Sequence, residues 1–82
     1  MNFNLHVKLN DGTSTDVVGI AADIVAFETK FDMSMARLEK ELKMTHLFYL
    51  AWHVLHRTGE TKLDFDKWLE TVDMVSAAEP KK

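Results

Sequence analysis

The chain has 82 residues, 46% of them hydrophobic and 28% charged, which allows one small domain with one modest core. A formal charge of -3 argues against a general nucleic-acid binder, because neutralising phosphates takes clustered lysine and arginine. With no cysteine there is neither a disulfide framework nor a thiolate metal site. The longest mostly apolar run, 47–57, is too short to span a bilayer, and the amino terminus lacks the features of a secretory signal. A soluble, cytoplasmic protein that binds neither nucleic acid nor membrane is therefore expected.

Phe3, Leu5, Val7 and Leu9 alternate with Asn4, His6 and Lys8, a period of two that predicts a half-buried strand over 3–9. Asn10–Asp11–Gly12 supplies residues that tolerate positive φ, and 13–18 is rich in β-branched residues. The two segments predict a hairpin. A lone hairpin is barely stable in water, so its apolar side must lie on the helices or its edge must pair with another chain. Gly19 ends the second strand. Asp23 is placed to cap a helix over 24–31, where Ile24, Phe27 and Phe31 recur at i, i+3 and i+7.

Ser34 is placed to cap a helix over 35–43, in which Met35, Leu38 and Leu42 form a narrow stripe among charged residues. Continued straight on, that stripe would run into His46, Tyr49, His53 and His56. The apolar phase jumps by close to half a turn, which predicts a break near Met44–Thr45 with Thr45 as the new cap. The next helix, over 46–57, carries Leu50, Val54, Leu47, Ala51, Leu55, Phe48 and Trp52 on an arc of roughly 200°. Other elements should cover it on two sides, with Tyr49, His53, His46, His56 and Arg57 on the remaining polar strip. Gly59 follows where a chain leaving a helix turns left-handed. Asp64 is placed to cap a last helix over 65–75, with Phe65, Trp68, Leu69, Val72 and Val75 as its stripe and Leu63 stapled to Trp68.

The expected architecture is α+β. An N-terminal hairpin, 3–9 and 13–18, packs on a small bundle of three to four helices, in a single domain over 1–76 with a flexible tail at 77–82. Its expected core is Phe27, Phe31, Phe48, Trp52, Leu55, Phe65, Trp68, Leu69 and Val72.

His53 and His56 have i, i+3 spacing and Tyr49 lies four before His53, but spacing supplies no third metal ligand. No metal and no cofactor are expected. Asp66, Glu70 and Asp73 would share one side of the final helix, as a solvated acidic face or as an acidic docking ridge. No glycine sits among them to make a calcium loop. There is no cysteine nucleophile, glycine-rich phosphate cradle or nucleophile elbow, so catalysis is not expected. The candidate partner-binding residues are Met35, Leu38, Leu42, Tyr49, His53, Asp66, Glu70 and Asp73.

Three segments together resemble the small tail assembly chaperones of long-tailed bacteriophages. They are Asp23–Ile24–Val25–Ala26–Phe27–Glu28, then Phe48–Tyr49–Leu50–Ala51–Trp52–His53–Val54–Leu55–His56–Arg57–Thr58–Gly59, then Phe65–Asp66–Lys67–Trp68–Leu69–Glu70–Thr71–Val72. The resemblance implies a non-catalytic assembly factor that coats the tape-measure protein while tail-tube subunits polymerise round it. It also implies two product lengths made by programmed frameshifting, the longer one recruiting the tail-tube protein. Homo-oligomerisation stays open. Two other readings stand beside it: a structural virion protein at the head–tail or tail-terminator junction, and a small protein-interaction adaptor unrelated to phage.

Overall fold

Strand β1 (Phe3–Leu9) forms the middle of a three-stranded antiparallel sheet, with β2 (Ser14–Gly19) on one side and β3 (Val72–Ala77) on the other. Between the hairpin and β3 the chain forms helices α1 (Ala21–Phe31), α2 (Met44–Arg57) and α3 (Phe65–Leu69). This computed structural model describes residues 3–34, 36–37 and 43–78. The architecture is α+β with an N-terminal hairpin, as the alternating pattern of β1 requires.

Leu5 and Val7 are 4% and 0% exposed and face Val17 and Val75 across the sheet, while His6 and Lys8 point the other way. The hairpin closes through a three-residue loop: Gly12, at φ 91, donates its N–H to the Leu9 carbonyl, and Leu9 donates to Thr13. A left-handed residue at this place is what such loops need, and glycine takes it without steric cost. At the far end, Gly19 lies opposite Phe3, and a Cβ there would fall 1.9 Å from the tip of the Phe3 ring.

The chain departs most from expectation at its end. The helix expected over 65–75 stops at Leu69, and Val72–Ala77 is a strand. The spacing of Val72 and Val75 had the look of a helical stripe, but the sheet produces the same spacing with a β-bulge. Val75 pairs with Val7, Met74 with Lys8 and Val72 with Leu9, so Asp73 is an extra residue between the last two pairs. Val72 and Val75 therefore both face the core, three residues apart, at 9% and 1% exposure. Ala77, expected in the tail, closes β3, and the Ala78 N–H donates to the Asn4 carbonyl. Residues 79–82 lie outside the described residues.

Helix α1 begins three residues earlier than expected. Ile20 is its N-cap, and Asp23 stands at the third helical position, where its carboxylate accepts from the Ile20 N–H at 2.8 Å. Ser34 does cap a helical turn, its Oγ accepting from the Arg37 N–H at 3.2 Å. The rest of the helix expected over 35–43, with Met35, Leu38 and Leu42, lies outside the described residues. The expected break is present, because Lys43 is extended at φ -113 and ψ 149, and Lys43 rather than Thr45 is the N-cap of α2.

Helix α2 is central, touching β2, β3, α1 and α3. It ends as Gly59 foretells: Gly59, at φ 83, donates to the His56 carbonyl and Glu60 donates to that of Leu55. Asp64 caps α3, accepting from the Lys67 N–H at 2.8 Å. Of the expected core, Phe27, Leu55, Trp68 and Val72 are buried, while Phe31, Phe48, Trp52, Phe65 and Leu69 are half-buried and pack against it. The sheet residues Leu5, Val7, Val17 and Val75 complete the core together with Leu47, Tyr49, Leu50, Ala51 and Val54 of α2.

Candidate functional site

The polar strip of α2 faces α1, and at its centre sits a fully buried carboxylate. Asp23 is 0% exposed. Its Oδ1 accepts from His53 Nδ1 at 2.5 Å and from Arg57 Nε at 3.1 Å, and its Oδ2 accepts from Arg57 Nη2 at 2.9 Å and from the Ile20 amide. Burial alone would raise the Asp23 carboxyl, but the Arg57, Ile20 and His53 hydrogen bonds and the Arg57 charge together hold it below the ordinary carboxylate value. The bond to Asp23 raises Arg57 in turn. An ionised carboxylate only accepts, so the proton of this bond sits on His53 Nδ1.

The helical period makes this cluster possible. His53 and Arg57 are one turn apart on α2, and Asp23 precedes Phe27 by one turn on α1, so the acid lies on the apolar stripe of its own helix. Among the described residues no hydroxyl is hydrogen-bonded to His53, and the arrangement acts as a clamp between two helices. Next to it, His46 is 6% exposed and sits edge-on to Phe27 and Phe31 at 5.4 and 4.9 Å, its Nδ1 without a hydrogen-bond partner among the described residues. Tyr49 continues the row, its ring 5.3 Å from Phe31 and 5.4 Å from Phe65, and burial raises its hydroxyl pKa. Trp52 donates its indole N–H to the Leu63 carbonyl at 2.9 Å and stacks on His56.

Two of the expected partner-binding residues are therefore engaged inside the protein: Tyr49 is 9% exposed and His53 is bonded to Asp23. Asp66, Glu70 and Asp73 do not form one ridge. Asp66 is on α3, Glu70 caps its end, and Asp73 is the bulged residue of β3, 4.0 Å from the Lys8 ammonium. Met35, Leu38 and Leu42 lie outside the described residues. Among the described residues no group of three or more His, Asp and Glu is placed to hold a metal ion, and no helix is long and apolar enough to cross a membrane.

Two features reach solvent that sequence reasoning did not single out. One is an apolar strip where β2 passes into α1: Val18, Ile20, Ala21, Ala22 and Val25 are all exposed, Val25 by 60%. Its signal was legible, since Ala21, Ala22 and Val25 lie on the side of α1 opposite Asp23 and Phe27. The other is a cleft of about 510 Å³ between the hairpin tip, the end of α2 and α3. Only the fold brings its walls together, so no local pattern announces it. No protein-family model matches this chain, and no curated protein or solved structure matches it significantly.

Proposed function

We propose that the protein is a non-catalytic, protein-binding assembly factor, and that it serves as a tail assembly chaperone of a long-tailed bacteriophage, binding the tape-measure protein while the tail tube forms. The observation that supports protein binding is the set of exposed apolar residues Val18, Ile20, Ala21, Ala22 and Val25, next to the outer edge of β2, which pairs with no strand among the described residues. Exposed apolar residues gathered into one patch are a feature of protein contact sites. An unpaired strand edge offers main-chain donors and acceptors to an added strand. The phage assignment rests on the resemblance of the Asp23–Glu28, Phe48–Gly59 and Phe65–Val72 segments.

The test is co-expression with a long helical tape-measure fragment. Wild-type protein keeps the fragment soluble, and Val25→Glu, made at an exposed helix position, loses that activity at an unchanged melting temperature. A wild-type protein that stays monomeric at high concentration and leaves the fragment insoluble overturns the chaperone role. The alternative, a structural virion protein at the head–tail or tail-terminator junction, draws support from the outer edges of β2 and β3, which pair with no further strand among the described residues and suit ring formation. Finding the protein in purified particles selects that alternative.

A further inference from the structure

The cleft at the hairpin tip is graded from floor to mouth. Val7, Leu55 and Trp68 form its floor and are 0%, 6% and 3% exposed. Thr61 and Thr71 are half-buried on its walls, and Thr13, Ser14 and Thr15 stand nearer solvent. At the rim are two carboxylates, Asp11 and Glu60, and among the described residues no lysine, arginine or histidine lines it. Its volume falls within the range of about 300–1,000 Å³ typical of ligand sites.

The Asp11 carboxylate is held by its own turn. Asp11 Oδ1 accepts from the Thr13 hydroxyl at 2.6 Å and from the Thr13 N–H at 2.9 Å, and these bonds hold its carboxyl below the ordinary value. Glu60 Oε2 lies 3.2 Å from the Thr58 hydroxyl, whose single proton is shared with the Val54 carbonyl at 3.0 Å, and this places the second carboxylate at the end of α2. The walls are held as well: Asn10 donates its backbone N–H to the Thr71 carbonyl and its side-chain amide to that of Glu70, tying the hairpin tip to the turn after α3.

We propose that this cleft is an anchor site for a lysine or arginine side chain presented, beside an apolar residue, by a segment of a partner protein. The floor accepts an aliphatic stem and an apolar neighbour, and the rim places carboxylate and hydroxyl oxygens where the cationic head emerges. Long basic side chains partition in this way, stem on apolar surface and charge in water. An acidic head would meet two negative charges, and a neutral one would gain from the floor alone. The inference deepens the reading of the chain as a protein-binding factor, yet the two fail separately. A peptide titration decides the cleft whatever a client protein does, and client co-expression decides the chaperone role whatever the peptide does.

The probes are three capped tripeptides, acetyl-Leu-Lys-Leu-amide and its norleucine and glutamate counterparts, titrated into the full chain at low salt and followed by amide and indole NMR shifts. The lysine peptide moves the signals of Val7, Leu9 and Trp68 and binds about fivefold more tightly than the norleucine peptide. The glutamate peptide binds more weakly than either. The double variant Asp11→Asn, Glu60→Gln keeps the turn and cap hydrogen bonds but removes the charges, and it erases the lysine preference while leaving norleucine binding unchanged. Ser14→Lys, an exposed change at the rim, abolishes lysine-peptide binding. Equal binding of all three peptides by the wild type, or shifts that map away from the cleft, overturns the proposal.

Discussion

Replacing Asp23 with alanine tests the clamp between α1 and α2. The carboxylate is fully buried and accepts from four donors: the Ile20 amide, His53 Nδ1 and two nitrogens of Arg57. Loss of the bond to the start of α1 costs about 1 kcal/mol, the usual value of a cap. Loss of the charge-assisted bonds adds to this. The freed His53 and Arg57 side chains are already 25% and 30% exposed and regain water, which keeps the total near the low end for a broken buried pair, about 3 kcal/mol. In a domain of this size that lowers the melting temperature by about 15 °C. Asp23→Asn keeps an oxygen for the Ile20 amide but loses the charge, and it should show about half the loss.

The pH profile separates charge from packing. The folded-state pKa of Asp23 lies below the ordinary value of 3.8. As acid is added, the unfolded chain therefore takes up a proton first. The stabilisation from Asp23 is complete above that value and is lost as pH falls through the lower folded value. Urea unfolding followed by circular dichroism should show wild type more stable than Asp23→Asn by a constant margin near neutrality, with the margin shrinking below about pH 4. An Asp23→Ala variant within about 0.5 kcal/mol of wild type, a size ordinary for surface changes, would refute the buried clamp.

Trp68→Ala should cost about 3–5 kcal/mol, since Trp68 is 3% exposed. Trp52→Ala should leave a folded protein with a smaller loss in the same urea assay, because Trp52 is half-buried and gives up one indole hydrogen bond and ring contacts. Gly59→Ala meets no atom within 4 Å, so its loss is left-handed backbone strain alone, about 1 kcal/mol by thermal unfolding. Deleting Asp73 should leave a cooperatively folded protein, because Val72, Met74 and Val75 then alternate in register against Leu9, Lys8 and Val7. A chain that loses its cooperative transition on that deletion would contradict the bulge.

What could be read from the sequence was local. Gly12, Ser34, Gly59 and Asp64 act within four residues of their own positions, and each does in the structure what its residue type predicts. The break before α2 was legible for the same reason, as a change of apolar phase along neighbouring turns. The third strand was not, because pairing with β1 joins residues more than sixty positions apart. One hint lay in the hairpin itself: two strands are marginal alone, and the free side of β1 had main-chain groups to satisfy. The bulge then disguised the answer by giving β3 the three-residue spacing of a helix.

The Asp23 clamp was hidden by a different ambiguity. A polar residue at a helix start reads as a cap facing water, and a strip of His, Tyr and Arg on a helix reads as its solvent side. Two features of the sequence were in tension with that reading. The central helix has an apolar arc too wide for one neighbour, so part of its polar strip had to be covered as well. Asp23 stands one turn before Phe27, on the stripe that α1 turns toward its own core. An acid on the apolar face of one helix and two basic groups on the polar face of the next satisfy each other only if those faces meet. Burial of the carboxylate at 0% exposure, between His53 and Arg57, is the result. A buried charge left unpaired is costly, so α1 and α2 can bring these faces together only with His53 and Arg57 placed to meet Asp23.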